Sequence, residues 1–345
     1  MSSLSGEIPL WNETVEKILI IFHWDSDGIS SAASLYEELS KQNKLIDLYV
    51  PRIGEYNLDR EEINLFKNKN YDLICIVDIS FPTNTLSKLT GICDRLTLLD
   101  HHFFSGGLKK IEVINPESFG KNYPSTSWII KDFFGRDVDL LAVMGAIGDQ
   151  EEEIKEFDAY NEIKKYLNSR GLTLKDVLRM VNLVDANYKI NNRYGVVNAV
   201  FKLLEYKNFP LRILEDKEWT ERANMVEEEI NKWVEEPLNR EGESIVFKEI
   251  DSRFNIMSSV TRKISSNNPG KLTIVSNRGY FKDRIQVYFR VNNLDVDLTW
   301  IIKKSRSKGY VSGGRRNVVG LIIPRNDYKP FMKEILDRLG DLHER

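Results

Sequence analysis

Sulfur and imidazole are scarce in this chain. Its 345 residues include two cysteines, Cys75 and Cys93, each in or beside an apolar run. Thiols so placed suit a reduced interior and exclude a disulfide-stapled scaffold or a cysteine-built zinc site. Long apolar runs are also missing. The longest, such as residues 18–22 and 73–77, fall far short of the roughly 20 residues that cross a bilayer. No signal-peptide pattern opens the chain. The expectation is a soluble, cytoplasmic protein with no membrane partner. With 41% hydrophobic residues the chain can bury a core, and 345 residues exceed the usual length of one compact unit, so two domains are expected.

The formal net charge is only −3, but it is unevenly spread. Residues 241–345 hold 20 Lys and Arg against 12 Asp and Glu, which leaves −11 for residues 1–240. Between Arg262 and Arg325 there are 14 basic residues against three acidic ones, with Phe281, Tyr288, Phe289, Trp300 and Tyr310 interleaved. A polyanion-binding surface needs this mixture, because phosphates attract the charges and bases stack on rings. A merely solvated Lys-rich face is the plain alternative.

Over the first 150 residues short apolar runs alternate with helix-like spacing. Strand-length runs lie at 17–22, 46–50, 73–77, 95–99 and 140–144, and helical patterns at 30–42, 59–67 and 126–134. This predicts an α/β domain on a mostly parallel sheet with flanking helices. From about 173 to 235 long charged helical stretches form a cap or connector. Pro237 and Gly242 mark a linker, after which β-rich runs and a glycine-containing loop predict a smaller α+β domain. The expected boundaries are therefore 1–235, a linker at 236–243, and 244–345.

The four apolar runs that end in acids or histidines decide the chemistry. The first is followed by His23, Asp25 and Asp27, whose spacing of two puts them on one side of an extended segment. The second ends in Asp78, the third in Asp100, His101 and His102, and the fourth delivers Asp149. Carboxyl ends of parallel strands line one crevice, so groups distant in sequence can converge there. Three of the four histidines sit at these ends, and the other, His343, lies near the C-terminus. Carboxylates with imidazoles and no thiolate suit divalent ions such as Mn²⁺, and there are more carboxylates than one ion uses. Any one such acid could simply cap a helix; all four ends together point to a metal centre. Glu151–Glu153 reads as a solvated helix start, Trp24 as a packing residue, and Ser30 and Ser31 as part of a helix opening rather than nucleophiles.

HWDSDG at residues 23–28, VDIS at 77–80, LDHH at 99–102 and GAIGDQ at 145–150 resemble, in order, the four motifs of the DHH phosphoesterases. YFR at 288–290 and SGGRRNVVG at 312–320 resemble the substrate-binding motifs of the DHH-associated domain. The spacing of His23 from Asp25 is similar to that of archaeal RecJ-like nucleases, including the branch associated with a repair helicase. The resemblance implies two divalent ions, Mn²⁺ first and Mg²⁺ as the alternative. His23, Asp25 and Asp78 would hold one; Asp27, Asp78, His101 and Asp149 the other. Asp100 would orient a histidine, and His102 would contact the scissile phosphate. Arg290, Gly313, Gly314, Arg315 and Arg316 would bind substrate, with Arg315 standing where the family commonly has histidine; arginine keeps a phosphate-binding fork but does not titrate near neutrality. The implied function is exonuclease action on single-stranded DNA or RNA, 5′ to 3′, in repair or replication, with a repair helicase or replication protein as partner. The alternatives are a phosphodiesterase of short oligoribonucleotides or small nucleotides, and an inert replisome or repair scaffold.

Overall fold

The computed structural model describes residues 15–102, 110–116, 122–241 and 243–343, the side chains of 240, 241 and 340–343 excepted. Gly242 and the side chain of His343 thus lie outside the described residues. The chain forms two compact units, one of residues 1–188 and 192–223, the other of residues 189–191 and 224–345.

In the first unit β1 (Lys17–Phe22), α1 (Ser26–Ser40), β2 (Leu45–Tyr49), α2 (Arg60–Lys67), β3 (Leu73–Val77), α3 (Thr83–Leu89), β4 (Leu96–Leu99) and β5 (Ile111–Ile114) build the sheet layer. The five strands are all parallel, in the order β2-β1-β3-β4-β5. The all-apolar LICIV of β3 is wholly buried, as a central parallel strand covered on both faces must be. Edge strand β2 is only half-buried and carries Asp47 among its apolar residues. Helices α4 (Thr126–Phe133), α5 (Leu140–Gln150), α6 (Tyr160–Arg170), α7 (Leu174–Lys189), α8 (Arg193–Tyr206) and α9 (Arg212–Glu215) follow, with a 3₁₀ turn at Glu151–Glu156, and then α10 (Lys217–Glu235), whose residues from 224 on belong to the second unit. The expected α/β architecture with a helical stretch after residue 173 is therefore present.

Two local expectations are corrected. The run at 140–144 belongs to a helix, α5, opened by Asp139, whose side chain accepts from Ala142 N at 3.0 Å. It is buried nearly all round, so its sequence lacks the polar stripe that marks a surface helix. The segment after β1 leaves the extended conformation early: α1 begins at Ser26, with Asp25 as its N-cap and Asp27 in its first turn. Strand β5 is a further element that the sequence pattern does not predict.

The second unit holds β6 (Arg240–Glu241), β7 (Ile245–Ile250), α11 (Met257–Asn267), β8 (Leu272–Asn277), β9 (Arg284–Val291), α12 (Thr299–Ser307), β10 (Val311–Arg315), β11 (Val318–Pro324) and α13 (Arg325–His343). They form a mixed sheet in the order β10-β11-β9-β8-β7-β6, parallel only between β7 and β8. The expected glycine loop is strand β10. Strand β11 alternates, with Val319, Leu321 and Ile323 in a core shared with Phe289 and Phe331.

Candidate metal centre

Strand register assembles the site. Phe22 pairs with Val77, Val77 with Leu99, and Leu99 with Ile114, so the next residues, His23, Asp78, Asp100 and Asn115, form one row along the carboxyl edge. Bonds from His23 N to Val77 O (3.2 Å), Asp78 N to Leu99 O (2.9 Å) and Asp100 N to Ile114 O (3.3 Å) carry the ladder into that row. In a sheet of order 2-1-3-4-5 the chain leaves β1 and β3 in opposite directions, which opens a crevice between them. His23 and Asp78 end those two strands.

Asp78 is the centre. It is 3% exposed and has φ of 58°, a left-handed backbone that costs a non-glycine residue about 1–3 kcal/mol and persists only where its surroundings impose it. Its carboxylate faces two ways. Oδ2 lies 3.9 Å from His23 Nδ1, while Oδ1 lies 3.8 Å from His101 Nε2 and 4.0 Å from His102 Nδ1. His23 Nδ1 also meets Asp25 Oδ2 at 2.8 Å, and His101 Nε2 stands 2.9 Å from Asp149 Oδ2.

Helix starts place the remaining acids. Asp25 caps α1 through Gly28 N at 3.1 Å, so the capping role of this acid coexists with its place in the cluster. Gly28 is dictated by close approach, since a Cβ there would lie 2.3 Å from the His23 carbonyl oxygen. Asp27, fully buried, accepts from the first amides of α4, Thr126 N at 2.7 Å and Ser127 N at 3.0 Å. Asp149 comes from the last turn of α5. That helix reaches Asp27 only because residue 145 is glycine: a Cβ would fall 2.2 Å from Asp27 Oδ1. Trp24 is buried, its ring 4.3 Å from that of His23, and Glu151–Glu153 are exposed. Both match expectation. Ser30 and Ser31 lie buried inside α1.

Electrostatics mark the cluster as one that wants cations. Burial, then the negative charges of Asp27, Asp25, Asp149 and Asp100, hold Asp78 well above the ordinary carboxylate range. Asp149 is pushed up to about 6 by burial and Asp27, against the pull of His101. Burial works against His101, but Asp149, Asp27 and Asp100 lift it to about 9. Burial would raise Asp25 and Asp100, yet His23 and His102 respectively bring them below the usual value. Partial desolvation works against His102, but Asp100, which accepts from His102 N at 3.0 Å and contacts Nδ1 at 2.8 Å, raises it above its ordinary value. Ser80 donates to the other oxygen of Asp100 at 2.7 Å.

The residues fit divalent metal. Three overlapping groups have ligand atoms within 4.8 Å of one another: His23, Asp25 and Asp78; Asp27, Asp78, His101 and Asp149; and Asp78, His101 and His102. His101 Nε2 is buried, with Asp149 Oδ2 at 2.9 Å and Asp78 Oδ1 at 3.8 Å. A buried imidazole nitrogen facing two carboxylates from different segments is placed as a ligand atom would be. The donors are hard oxygens and imidazole nitrogens, which suit Mn²⁺ or Mg²⁺.

Residues 17–167 match the model of the DHH family, N-terminal domain. The chain carries a DHH domain. The matching stretch of 154 residues is 25% identical to the single-stranded-DNA-specific exonuclease RecJ of Bacillus subtilis (strain 168), and covers 43% of this chain and 19% of that protein. The chain thus spans about a fifth of its curated relative. RecJ from Thermus thermophilus in complex with Mn²⁺ superposes with a TM-score of 0.60 at 14% identity, over 92% of this chain and 51% of the other. A manganese-bound exonuclease RecJ does so at 0.58 and 15% identity, over 96% and 94%. At these identities the likeness to the solved structures is one of fold, and it extends past the DHH domain into the second unit.

In that second unit Arg290, Val318 and Arg315 lie in one row across β9, β11 and β10, and Tyr288, Gly320 and Gly313 in another. Directly opposed residues share a face, and this face is opposite the one that buries Val319 and Leu321. Gly313 and Gly314 are exposed. Arg316 pairs with Asp295 at 2.6 Å on the surface. The interleaved aromatics are less available than expected. Phe281 and Phe289 are buried, Arg338 covers the Trp300 ring at 4.4 Å, and Tyr310 donates to Asp327 at 3.0 Å. Only Tyr288 stays beside the arginines, because alternation along β9 turns Phe289 into the core.

Sequence reasoning also missed polar residues that hold the DHH site. Asn115 Nδ2 donates to His102 O, and Asp185 on α7 accepts from Ser26 N at 2.9 Å. Thr126 is the third. Among the described residues no helix is long and apolar enough to cross a membrane.

Proposed function

We propose that this protein is a two-metal phosphodiesterase that degrades single-stranded DNA or RNA from an end, in DNA repair or replication. The observation that carries the reading is the placement of Asp78, whose Oδ2 faces His23 and whose Oδ1 faces His101. One carboxylate so placed would contribute to both ion positions. His23, Asp25 and Asp78 would hold one; Asp27, Asp78, His101 and Asp149 would hold the other, with Mn²⁺ the first choice and Mg²⁺ the alternative. Such ions, when bound, supply an acidified water and neutralise charge growing on a phosphate. Asp100 steadies His102 at Nδ1, and the ring, 60% exposed in its side chain, presents its other edge for phosphate contact.

We assign the catalytic role to residues 1–235, a linker to 236–243, and substrate binding to 244–345. Arg290 and Arg315 on one sheet face, with Gly313 and Gly314 allowing close backbone approach, support the last assignment; Arg316 adds a further fork once released from Asp295. The 5′ to 3′ direction and a helicase or replication partner are taken from the likeness to RecJ-type proteins, and a cytoplasmic setting from the short apolar runs and the two unpaired thiols.

The test uses long single-stranded DNA and RNA, labelled at either end, with Mn²⁺ or with chelator. The expected outcome is Mn²⁺-dependent shortening from the 5′ end. Asp78→Ala should lose more than the roughly 10- to 100-fold typical of an outer-shell partner. Long strands left intact while di- to pentanucleotides are cleaved would replace this reading with the small-substrate phosphodiesterase. No turnover of either would leave the scaffold.

A further inference from the structure

We propose that Thr126 is a positioning residue that fixes how Asp78 is shared between the two metal positions; the inference rests on the two-metal reading above. Thr126 is fully buried and opens α4 just after the N-cap Ser125. Each of its polar functions goes to a different ligand-bearing segment. Its backbone N–H donates to Asp27 Oδ2 at 2.7 Å. Its hydroxyl donates to Asp78 Oδ1 at 2.8 Å, and the same oxygen accepts the N–H of His101 at 3.2 Å. These partners lie 99, 48 and 25 residues away in sequence, so one residue, through its backbone N–H and its hydroxyl, ties three of the four motifs together.

The direction of the hydroxyl proton is forced. A hydroxyl has one proton to give, and an amide that points at its oxygen occupies a lone pair, so the proton goes to the carboxylate. Asp78 Oδ1 is thereby pinned on the His101 side. With that oxygen held, the carboxylate cannot turn, and Oδ2 stays toward His23. Without the hydroxyl, Asp78 is free to rotate and present both oxygens to one ion, and the His101 amide loses a buried acceptor. The chain needs here an amide at a helix start and a hydroxyl on its β-carbon together. Threonine and serine supply both; valine supplies only the amide.

The experiment titrates full-length wild type, Thr126→Ser and Thr126→Val with Mn²⁺ alone, reading free ion by EPR and the fold by far-UV circular dichroism. Wild type and T126S should bind with matching affinity and show the exchange-coupled signal of neighbouring Mn²⁺ ions. T126V should bind about 10- to 100-fold more weakly and lose the coupled signal. A T126V protein with wild-type affinity and coupling would overturn the proposal. So would a T126S protein as weak as T126V, since the methyl packing would then be what matters. Should T126V fail to fold, T126A against T126S differs by the hydroxyl alone and reads the same effect. Wild type that takes up no Mn²⁺ would overturn the metal reading itself, and with it this inference, before any variant is compared.

Discussion

Gly145 shows how little room the centre has. A Cβ there would lie 2.1 Å from Ser127 Oγ and 2.2 Å from Asp27 Oδ1, so Gly145→Ala must push α5 away from α1 and α4. We expect a loss of about 1–3 kcal/mol in chemical denaturation together with weaker Mn²⁺ uptake, because Asp149 travels with the helix. Unchanged stability and uptake would contradict the packing described. The acids and histidines of the cluster are legible in the sequence because such groups at the ends of apolar runs are rare and mutually costly. Thr126 and Asp185 are not. They act through single hydrogen bonds to segments as far as 99 and 159 residues away, and a threonine or aspartate at either place looks like an ordinary helix residue. Arg290 and Arg315 can be named from the sequence, but not the pairing that puts them in one row.

Helix α10 begins on a charged junction. Asp216 accepts from Trp219 N at 3.0 Å, from Lys202 Nζ at 2.8 Å and from Tyr206 Oη at 3.2 Å. Burial would raise its pKa, but the Lys202 ammonium and the Trp219 amide outweigh that and leave it below the ordinary value. A depressed folded pKa adds stability that is fully present above the unfolded value of about 3.9 and is lost as pH falls through the folded one. Asp216→Asn should therefore cost about 1–2 kcal/mol near neutrality, and its deficit should shrink to nothing on acidification. A deficit that does not change with pH would refute the ionic part of this cap. At the level of elements, the sequence pattern defines β1 and β3 to the residue, whereas it makes α5 look like a strand. Their apolar runs are alike; only length separates a buried helix from a buried strand. Strand β5, IEVI, escapes the pattern because it is four residues long and carries an acid. Strand β10 reads as a loop because of its two glycines.

Across the whole chain, residues 1–240 are net acidic and residues 241–345 net basic, as the proposed division between holding cations and holding a polyanion requires. Binding of a long single strand should weaken with salt, with a slope of about −0.7 for each phosphate neutralised. Arg315→Ala should reduce that slope by about 0.7 while leaving Mn²⁺ affinity untouched. A slope unaffected by the substitution would remove Arg315 from the nucleic-acid contact.

The row of strand ends also sets a timetable. Its members, His23, Asp78 and Asp100, are joined by Asp149 only when α5 has packed against α1, and each neighbouring parallel strand must wait for its crossover to be made. During synthesis, therefore, the first two motifs can gather His23, Asp25 and Asp78 before the last motif has emerged. The group of Asp27, Asp78, His101 and Asp149 can be completed only after α5 is out of the ribosome, so a chain truncated before Asp149 is expected to offer one ion position where the whole chain offers two.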